Sequence, residues 1–376
     1  MDLVAKATPL SDEMRVWHAR PTHEPGRLSL GARTRTADDR LMPRTGADGA
    51  LAVEPEQSIT GSRAAPRPFG TPANGARAAT RVGFDVEAMR RYVLSRLTPE
   101  GGYSFYRVPS WGVEEPNAPD TLAALASLRL LGIPPPEPDH TVRYLKSLQR
   151  HDGGYPSFTI GWAAISSLRL LSSPPERSPD QWLEGWAVAL TSTPQRGEAA
   201  SLRDGARLIE IEVVTGKGPD ARVLRWAGEL LDTAADPAGG WARPEADLET
   251  TGLAVSLAAR AAWRPPDVAV LGEFLRRCED PVLGLRVRPD AAATSAGALW
   301  GGLLLAGAAR ARLRHPGALS RSLVLLQRRD GGLGSRHLAI SSLQDTWRGL
   351  EAAALLDQLT GMHNQLTFDH VTKERS

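Results

Sequence analysis

The chain has 376 residues, of which 41% are hydrophobic, and its formal net charge is +2. This near balance of charges gives no basic field for wrapping a nucleic acid, so a nucleic-acid partner is not expected. The single cysteine, Cys278, excludes a disulfide framework and a cysteine-rich zinc site. No apolar run reaches the roughly 18 residues of a membrane span, and the N-terminus lacks the apolar core of a secretion signal. A cytoplasmic protein without a transmembrane segment is therefore expected.

The first 80 residues differ from the rest in composition. They are rich in Pro, Gly, Arg and Ala and show neither a helical nor a strand period. Such a segment buries too little apolar surface to offset its ordering entropy, so residues 1–80 are predicted to be a disordered arm. A start codon assigned upstream of the true one is the alternative explanation for this segment. Residues 361–376 are predicted to be a loosely attached tail.

From Phe84 onward the chain repeats one pattern six times. An amphipathic helical stretch runs into a glycine pair, whose second glycine or its equivalent falls at 102, 154, 197, 240, 284 and 332. A polar loop follows, and then an Ala/Leu-rich stretch with apolar residues at steps of three and four. The clearest first helices are predicted at 139–150, 222–234 and 316–327. Six helix pairs with apolar second helices predict an all-α fold closed into a ring over residues 84–360.

Local signals mark where the helices end and begin. The glycine pair is interpreted as a helix C-cap that adopts positive φ. Asp120, Glu249 and Asp345 are each followed by Thr and are predicted to start second helices.

The repeated phrase Gln-x-x-x-Gly-Gly, here LQRHDGGYPSF and LQRRDGGLGS, resembles the repeat of the prenyltransferase and squalene-oxidocyclase family. The resemblance covers about residues 84–360. It implies an α/α toroid (an α6/α6 barrel) of six helix-pair repeats, whose inner helices surround an apolar, aromatic-lined cavity for an isoprenoid chain. Because one fold hosts many activities, the branches of this family must be separated by their sites.

One branch comprises the β-subunits of the protein prenyltransferases. The resemblance implies a catalytic zinc held by an Asp-x-Cys pair on the fifth repeat and by the His of an Asp-x-x-His motif on the sixth. This chain has Ala293, Ser295 and Arg348 at those three positions. None of these side chains is a zinc ligand in such sites, so zinc is not expected.

The other branch comprises the class II terpene cyclases, whose Asp-x-Asp-Asp motif protonates an alkene or an epoxide. Asp247-Leu248-Glu249-Thr250 resembles that motif, with Glu249 as the proton donor and with Asp247 and Thr250 as its hydrogen-bond partners. The chemistry needs a carboxylic acid kept neutral in a dry cavity. A simple helix start, as at Asp120-Thr121 and Asp345-Thr346, is the alternative interpretation.

Further residues are predicted to contact the substrate. Trp162, Trp300 and Trp347 are expected to line the cavity, where their ring faces attract carbocations. The resemblance places Arg286, Arg288 and Arg348 where they would bind a diphosphate, because Arg binds phosphate oxygens bidentately. A solvated loop is the alternative for these arginines. Mg²⁺ is the cofactor that would assist a diphosphate substrate.

The leading hypothesis is an isoprenoid-handling enzyme, terpene cyclase-like, that acts on a prenyl diphosphate or a polyprene by protonation-initiated chemistry. The alternatives are a non-catalytic toroid that binds a lipid or a partner protein, and an atypical protein prenyltransferase β-like subunit. The expected ligand is an isoprenoid small molecule. A homodimer and a helical partner subunit are the two assemblies that the resemblance suggests.

Overall fold

Helices dominate the part of the chain that the computed structural model describes. Described are residues 72–106, 110, 114–192, 198–242, 245–264 and 267–373, without the side chains of 72–74 and 362–373, and all belong to one unit, Ser62–Ser376. The helices are α1 (Pro72–Val82), α2 (Val86–Leu94), α3 (Ala118–Leu131), α4 (Pro138–Ser147), α5 (Phe158–Leu170), α6 (Asp180–Ser192), α7 (Ala199–Val214), α8 (Ala221–Ala234), α9 (Leu248–Arg260), α10 (Val268–Cys278), α11 (Ala296–Ala309), α12 (Pro316–Leu326) and α13 (Leu343–Lys373). Two antiparallel hairpins accompany them, β1 (Glu279–Asp280) with β2 (Gly284–Leu285), and β3 (Leu333–Gly334) with β4 (Ser341–Ser342). The predicted all-α class is confirmed for these residues.

The helices after α1 alternate between first and second helices of the six predicted repeats. Each first helix (α2, α4, α6, α8, α10 and α12) contacts the second helix that follows it in the chain. The second helices also contact one another in the order α3, α5, α7, α9, α11 and α13, and α13 contacts α3. The second helices therefore form a closed cycle of contacts. Most of their side chains are buried, in agreement with their apolar sequences.

The glycine pairs lie in turns after the first helices. Helix α4 has Leu148 at its C-cap, and the turn follows it: Gly153 N–H donates to Arg150 O at 3.0 Å, and Arg150 N–H donates to Gly154 O at 2.8 Å. Gly153 has a φ of +84°, so the predicted positive φ is confirmed, while the interpretation of the pair as the C-cap is wrong. The same left-handed conformation occurs at Gly101, Gly239 and Gly331.

A glutamine ties each of two turns to the next first helix. Gln327 Nε2 donates to Gly331 O at 3.0 Å and to Asp85 O at 2.9 Å, and its Oε1 accepts from Asp85 N–H at 2.8 Å. Gln149 makes the same three contacts with Gly153 O and with the backbone of Arg177. Because Asp85 is the N-cap of α2, Gln327 joins the sixth repeat to the first.

The N-terminal end of the described chain differs from the sequence prediction. Residues 72–80, the last part of the predicted disordered arm, are helical in α1, which packs against α3 and α13. The reason is that small residues let α1 approach closely: an added Cβ at Gly75 would lie 2.2 Å from Leu130 O. Residues 1–71 lie outside the described residues. The predicted tail, 361–376, continues as helix α13 through Lys373.

None of the described helices combines the length and the apolar character needed to cross a membrane.

Gly331→Ala should destabilise the protein by at least about 2 kcal/mol, because an added Cβ would lie 2.1 Å from Ala88 O of α2 and φ is +94°. Gly272→Ala is the matched control. Gly272 lies within α10 with open space at its Cβ, so alanine there should stabilise by about 0.5–1 kcal/mol. Urea unfolding followed by circular dichroism measures both changes. Equal unfolding midpoints for the two variants would contradict the packing of this turn on the first repeat.

Candidate functional site

Asp247 is the N-cap of α9. Its Oδ1 accepts a hydrogen bond from the Thr250 amide at 2.8 Å, and its Oδ2 accepts one from Thr250 Oγ1 at 2.8 Å. These contacts satisfy donors that the start of a helix leaves free. The sequence assigns Asp247 and Thr250 to support Glu249, but in the structure they hold each other and the first turn of α9.

Glu249 is not the counterpart of Asp120 and Asp345. In three repeats a buried threonine accepts a hydrogen bond from the backbone amide that follows the glycine pair: Thr121 from Tyr103, Thr251 from Trp241 and Thr346 from Leu333. Aligned on these threonines, Asp120 and Asp345 correspond to Thr250, one position after Glu249. Successive helical residues are rotated by about 100°. The helix-start interpretation therefore fits Asp120 and Asp345, and the Glu249 side chain leaves α9 in a different direction.

Glu249 forms an ion pair with Arg348 across α11. Arg348 Nη1 donates to Glu249 Oε1 at 2.8 Å, and the Arg348 and Glu249 side chains are 19% and 39% exposed, respectively. Helix α11 contacts both α9 and α13. The carboxylate passes over α11 at Gly297, where an added Cβ would lie 2.2 Å from Glu249 Oε2. The predicted proton donor is therefore bound to one of the predicted diphosphate ligands.

Two tryptophans lie at a second carboxyl group beside this ion pair. Trp300 Nε1 donates to Glu351 Oε2 at 3.1 Å, and the Trp347 indole is close enough to influence the same carboxyl group. The Arg348 guanidinium lies near the Trp300 ring, with its Cζ 5.7 Å from the ring centroid. A continuous series of contacts therefore links Glu249 on α9, through Arg348 and Trp300, to Glu351 on α13.

Burial raises the pKa of Glu351 to about 7. Desolvation penalises the charged form, and the nearby Glu210 charge adds to this effect. The hydrogen bond from Trp300, the nearby Trp347 indole and the charge of Arg260 offset only part of it. Glu351 can therefore hold a proton near neutral pH.

A second ion pair continues these contacts onto α7. Arg260 Nη2 donates to Glu210 Oε2 at 3.1 Å, and Ser166 Oγ of α5 donates to Glu210 Oε1 at 3.3 Å. The Glu210 side chain is only 9% exposed, so its carboxylate depends on this pairing. The name polar cluster is used below for Glu210, Glu249, Arg260, Trp300, Trp347, Arg348 and Glu351.

Trp162 on α5 has an arginine on its face. The Cζ of Arg207 lies 4.0 Å from the ring centroid, and Arg207 Nη1 pairs with Asp204 at 3.3 Å. Burial lowers the pKa of Arg207 to about 10, although Asp204 acts against that shift. This ring face already binds a cation, as the negative face of an indole favours.

The three tryptophans that the sequence predicts for the cavity occupy the same position on their helices. Each lies five residues after a serine whose Oγ accepts an amide hydrogen bond in the first turn; the pairs are Ser157 and Trp162, Ser295 and Trp300, and Ser342 and Trp347. The three therefore lie at one level of the second helices, about 7–8 Å along the helix axis from the cap. Two of them, Trp300 and Trp347, lie beside Glu351, and Trp300 donates a hydrogen bond to it.

Arg286 belongs to the hairpin of β1 and β2. Its Nε and Nη2 donate to Asp280 Oδ2 at 2.9 and 2.7 Å. The Leu283 amide and then the Arg286 guanidinium are the main causes that lower the pKa of Asp280 to about 2. Arg286 therefore stabilises a turn, and its role as a diphosphate ligand stays a prediction.

Arg288 is likewise engaged by carboxylates. It pairs with Glu245 at 2.7 Å and with Asp290 at 2.9 Å, and all three side chains are exposed. This arrangement fits the solvated-loop alternative, since exposed ion pairs contribute little and exchange readily with solvent.

Sequence reasoning missed Glu351, Glu210, Arg260 and Arg207. The available signal was a charged residue inside an otherwise apolar second helix, as in GLEAAALL around Glu351. Charged residues are rarely buried unless paired, so such positions indicate a polar contact between helices. Their partners lie on other helices and could not be read from local spacing.

No known family model matches the chain, and no curated protein matches it in sequence. Within the part of the chain that the structure describes, no three His, Cys, Asp or Glu side chains are grouped so as to hold a metal ion.

The raised pKa of Glu351 predicts a specific pH dependence of stability. An unfolded Glu titrates near about 4.3. Between that pH and about 7 the folded state binds more protons, so the free energy of unfolding falls as the pH rises through this window. The loss is at most about 1.4 kcal/mol per pH unit. Glu351→Gln cannot ionise and should lose less stability than the wild type between about pH 5 and about pH 8.

Urea unfolding at the two pH values measures this difference. Glu273→Gln is the control, because Glu273 is exposed and pairs with Arg276 on the same helix. It should keep the wild-type pH dependence. A pH dependence of stability in Glu351→Gln equal to that of the wild type would contradict the assignment of the raised pKa to Glu351.

Proposed function

We propose that the described domain is an α/α toroid of the prenyltransferase and squalene-oxidocyclase type. The closed contact cycle of the second helices supports this arrangement, and so does their pairing with six first helices. The hydrogen bonds of Gln327 to Asp85, which link the last repeat to the first, also support it. In this arrangement the second helices are the inner helices, and the polar cluster lies inside the ring.

The function we propose for this ring is the binding of an isoprenoid and its protonation-initiated conversion, as in a terpene cyclase. The observation that carries the proposal is the set of three tryptophans at one level of α5, α11 and α13, with carboxyl groups beside them. Indole faces suit both an apolar chain and a carbocation that forms along it. A buried carboxyl group suits the first proton transfer.

A prenyl diphosphate would place its anionic end at Arg348. This guanidinium is 19% exposed and bound to a single described carboxylate, Glu249, at 2.8 Å. Phosphate oxygens accept bidentate hydrogen bonds from Arg and could exchange with that carboxylate. Arg286 and Arg288 are engaged by their own carboxylates, so they contribute less to the proposal.

Glu249 is the proton donor that the sequence predicts, and its ion pair weighs against that role. A donor must present a neutral carboxylic acid to an alkene, whereas Glu249 Oε1 accepts a hydrogen bond from a guanidinium. The proposal therefore rests on the ring and its tryptophans rather than on Glu249 as the donor.

The full chain incubated with Mg²⁺ and with farnesyl diphosphate, geranylgeranyl diphosphate or squalene tests this function. Mass spectrometry of the extracts should reveal a new hydrocarbon or diphosphate product from at least one substrate. Adding Arg348→Gln to the Glu249→Gln variant should raise the KM for a prenyl diphosphate by about tenfold relative to Glu249→Gln alone, since one phosphate contact is lost. The same pair of changes should leave the KM for squalene, which lacks a diphosphate, near that of the wild type.

Arg276→Gln is the matched control, since Arg276 is exposed on α10 and pairs with Glu273. It should keep the wild-type KM for every substrate. Failure of a well-folded wild-type chain to convert any of the three substrates would contradict a catalytic role on them.

A toroid that binds a lipid or a partner protein without turnover is the second candidate. The observation in its favour is the occupation of the ring by ion pairs, because Arg207, Arg260 and Arg348 are each already paired with a carboxylate. Saturable binding of a prenyl diphosphate with no product would support this candidate over the enzyme.

A further inference from the structure

Glu351 differs in its partners from three other carboxylates on the second helices. Asp204, Glu210 and Glu249 each have an arginine at salt-bridge distance, at 3.3, 3.1 and 2.8 Å, respectively. Glu351 instead accepts a hydrogen bond from a neutral indole, that of Trp300, and has the Trp347 indole beside it. A neutral donor stabilises a carboxylate far less than a guanidinium does.

The surroundings of Glu351 come from several helices. Trp347 lies on its own helix α13, Trp300 on α11, Arg260 on α9 and Glu210 on α7. The charges of Arg260 and Glu210 have opposite signs and are paired with each other at 3.1 Å, so their effects on Glu351 partly cancel. Desolvation therefore remains the main influence on the pKa of Glu351.

Glu351 is largely but not completely buried. Desolvation is the largest influence on Glu351, and yet part of the residue's surface remains accessible, as do parts of Trp300 and Trp347. An acidic residue that is removed from bulk water but not completely enclosed can meet an apolar ligand. Glu249 is more exposed, at 39%, and is bound by Arg348.

We infer that Glu351, rather than Glu249, is the proton donor of the ring. The inference rests on the proposed function. In the step, the O–H bond of the Glu351 carboxylic acid breaks, and the alkene π electrons form a new C–H bond to that proton. A carbocation is left on the other alkene carbon and a carboxylate on Glu351. The final cation then loses a proton, which returns to the Glu351 carboxylate, so that protons and charge balance.

The tryptophans act in two ways in this step. Trp300 Nε1 donates to Oε2 at 3.1 Å and positions the acid, so that Oε1 is the oxygen available to carry the proton. The ring faces of Trp300 and Trp347 would stabilise the cation that forms beside the acid. Trp300 is therefore a positioning residue for the acid as well as lining for the substrate.

Product formation by Glu351→Gln, Glu249→Gln and the surface control Glu273→Gln tests the inference. The amide introduced by Glu351→Gln keeps an oxygen that can accept from Trp300 Nε1, so circular dichroism should show the variant folded. We expect Glu351→Gln to reduce the rate of product formation by at least about a hundredfold, the usual contribution of general acid catalysis. Glu273→Gln should keep the wild-type rate.

The outcomes separate this inference from the proposed function. Product from the wild type and an equal rate from Glu351→Gln would overturn the inference and leave the proposed function standing. Loss of product in Glu249→Gln alone would assign the donor to Glu249. Absence of product from the wild type with every substrate would contradict both the inference and the proposed function.

The pH profile of the rate gives a second readout that a purely structural role would not produce. The donor must be protonated, so the wild-type rate should fall as the pH rises through about 7. Trp300→Phe removes an N–H that lowers the pKa of Glu351, so the remaining activity should fall at a higher pH than in the wild type. A pH limb that stays in place in Trp300→Phe would show that another group titrates.

Discussion

The arrangement of the repeats rests in part on a side-chain contact that recurs at two of their junctions. Gln149 and Gln327 each bond the glycine turn of their own repeat and both backbone groups of one residue that precedes the next first helix. The turn can approach that helix only because its first glycine has no Cβ: at Gly331 an added Cβ would overlap the Ala88 carbonyl. Since the sixth repeat makes this contact with the first, the contact that joins neighbours also closes the chain of repeats.

Packing of the second helices brings chemistry from distant segments together. Glu249 and Arg348 are 99 residues apart in the chain, and their ion pair crosses α11 at Gly297. The same helix approaches α9 closely, because an added Cβ at Gly301 would lie 1.9 Å from Leu248 O. Small residues on α11 therefore set the distance at which side chains of α9 and α13 meet, and the polar cluster is a product of helix packing rather than of any one motif.

The repeats, their helices and the positive φ of the first glycine follow from local pattern, which is why the sequence predicts them. The first helix predicted at 222–234 is found at Ala221–Ala234. The positions of the acidic residues around their helices could not be predicted from local pattern. Glu249-Thr250 looks like Asp120-Thr121, yet the threonine that binds the glycine turn is Thr251. A shift of one residue rotates a helical side chain by about 100°, and only contacts with other helices reveal it.

The polar cluster imposes an electrostatic constraint of its own. Charged groups removed from water are tolerated when they are paired, and Glu210 and Glu249 meet this condition through Arg260 and Arg348. Glu351 does not, since the hydrogen bond that it accepts comes from the neutral indole of Trp300. A carboxyl group held in this way lowers stability at neutral pH, because the folded protein keeps a proton that the unfolded chain would release. Residues that act on a ligand often lower the stability of the fold in this way. Here the loss of stability comes from Glu351, the acid of the polar cluster whose neighbouring indoles also suit a carbocation.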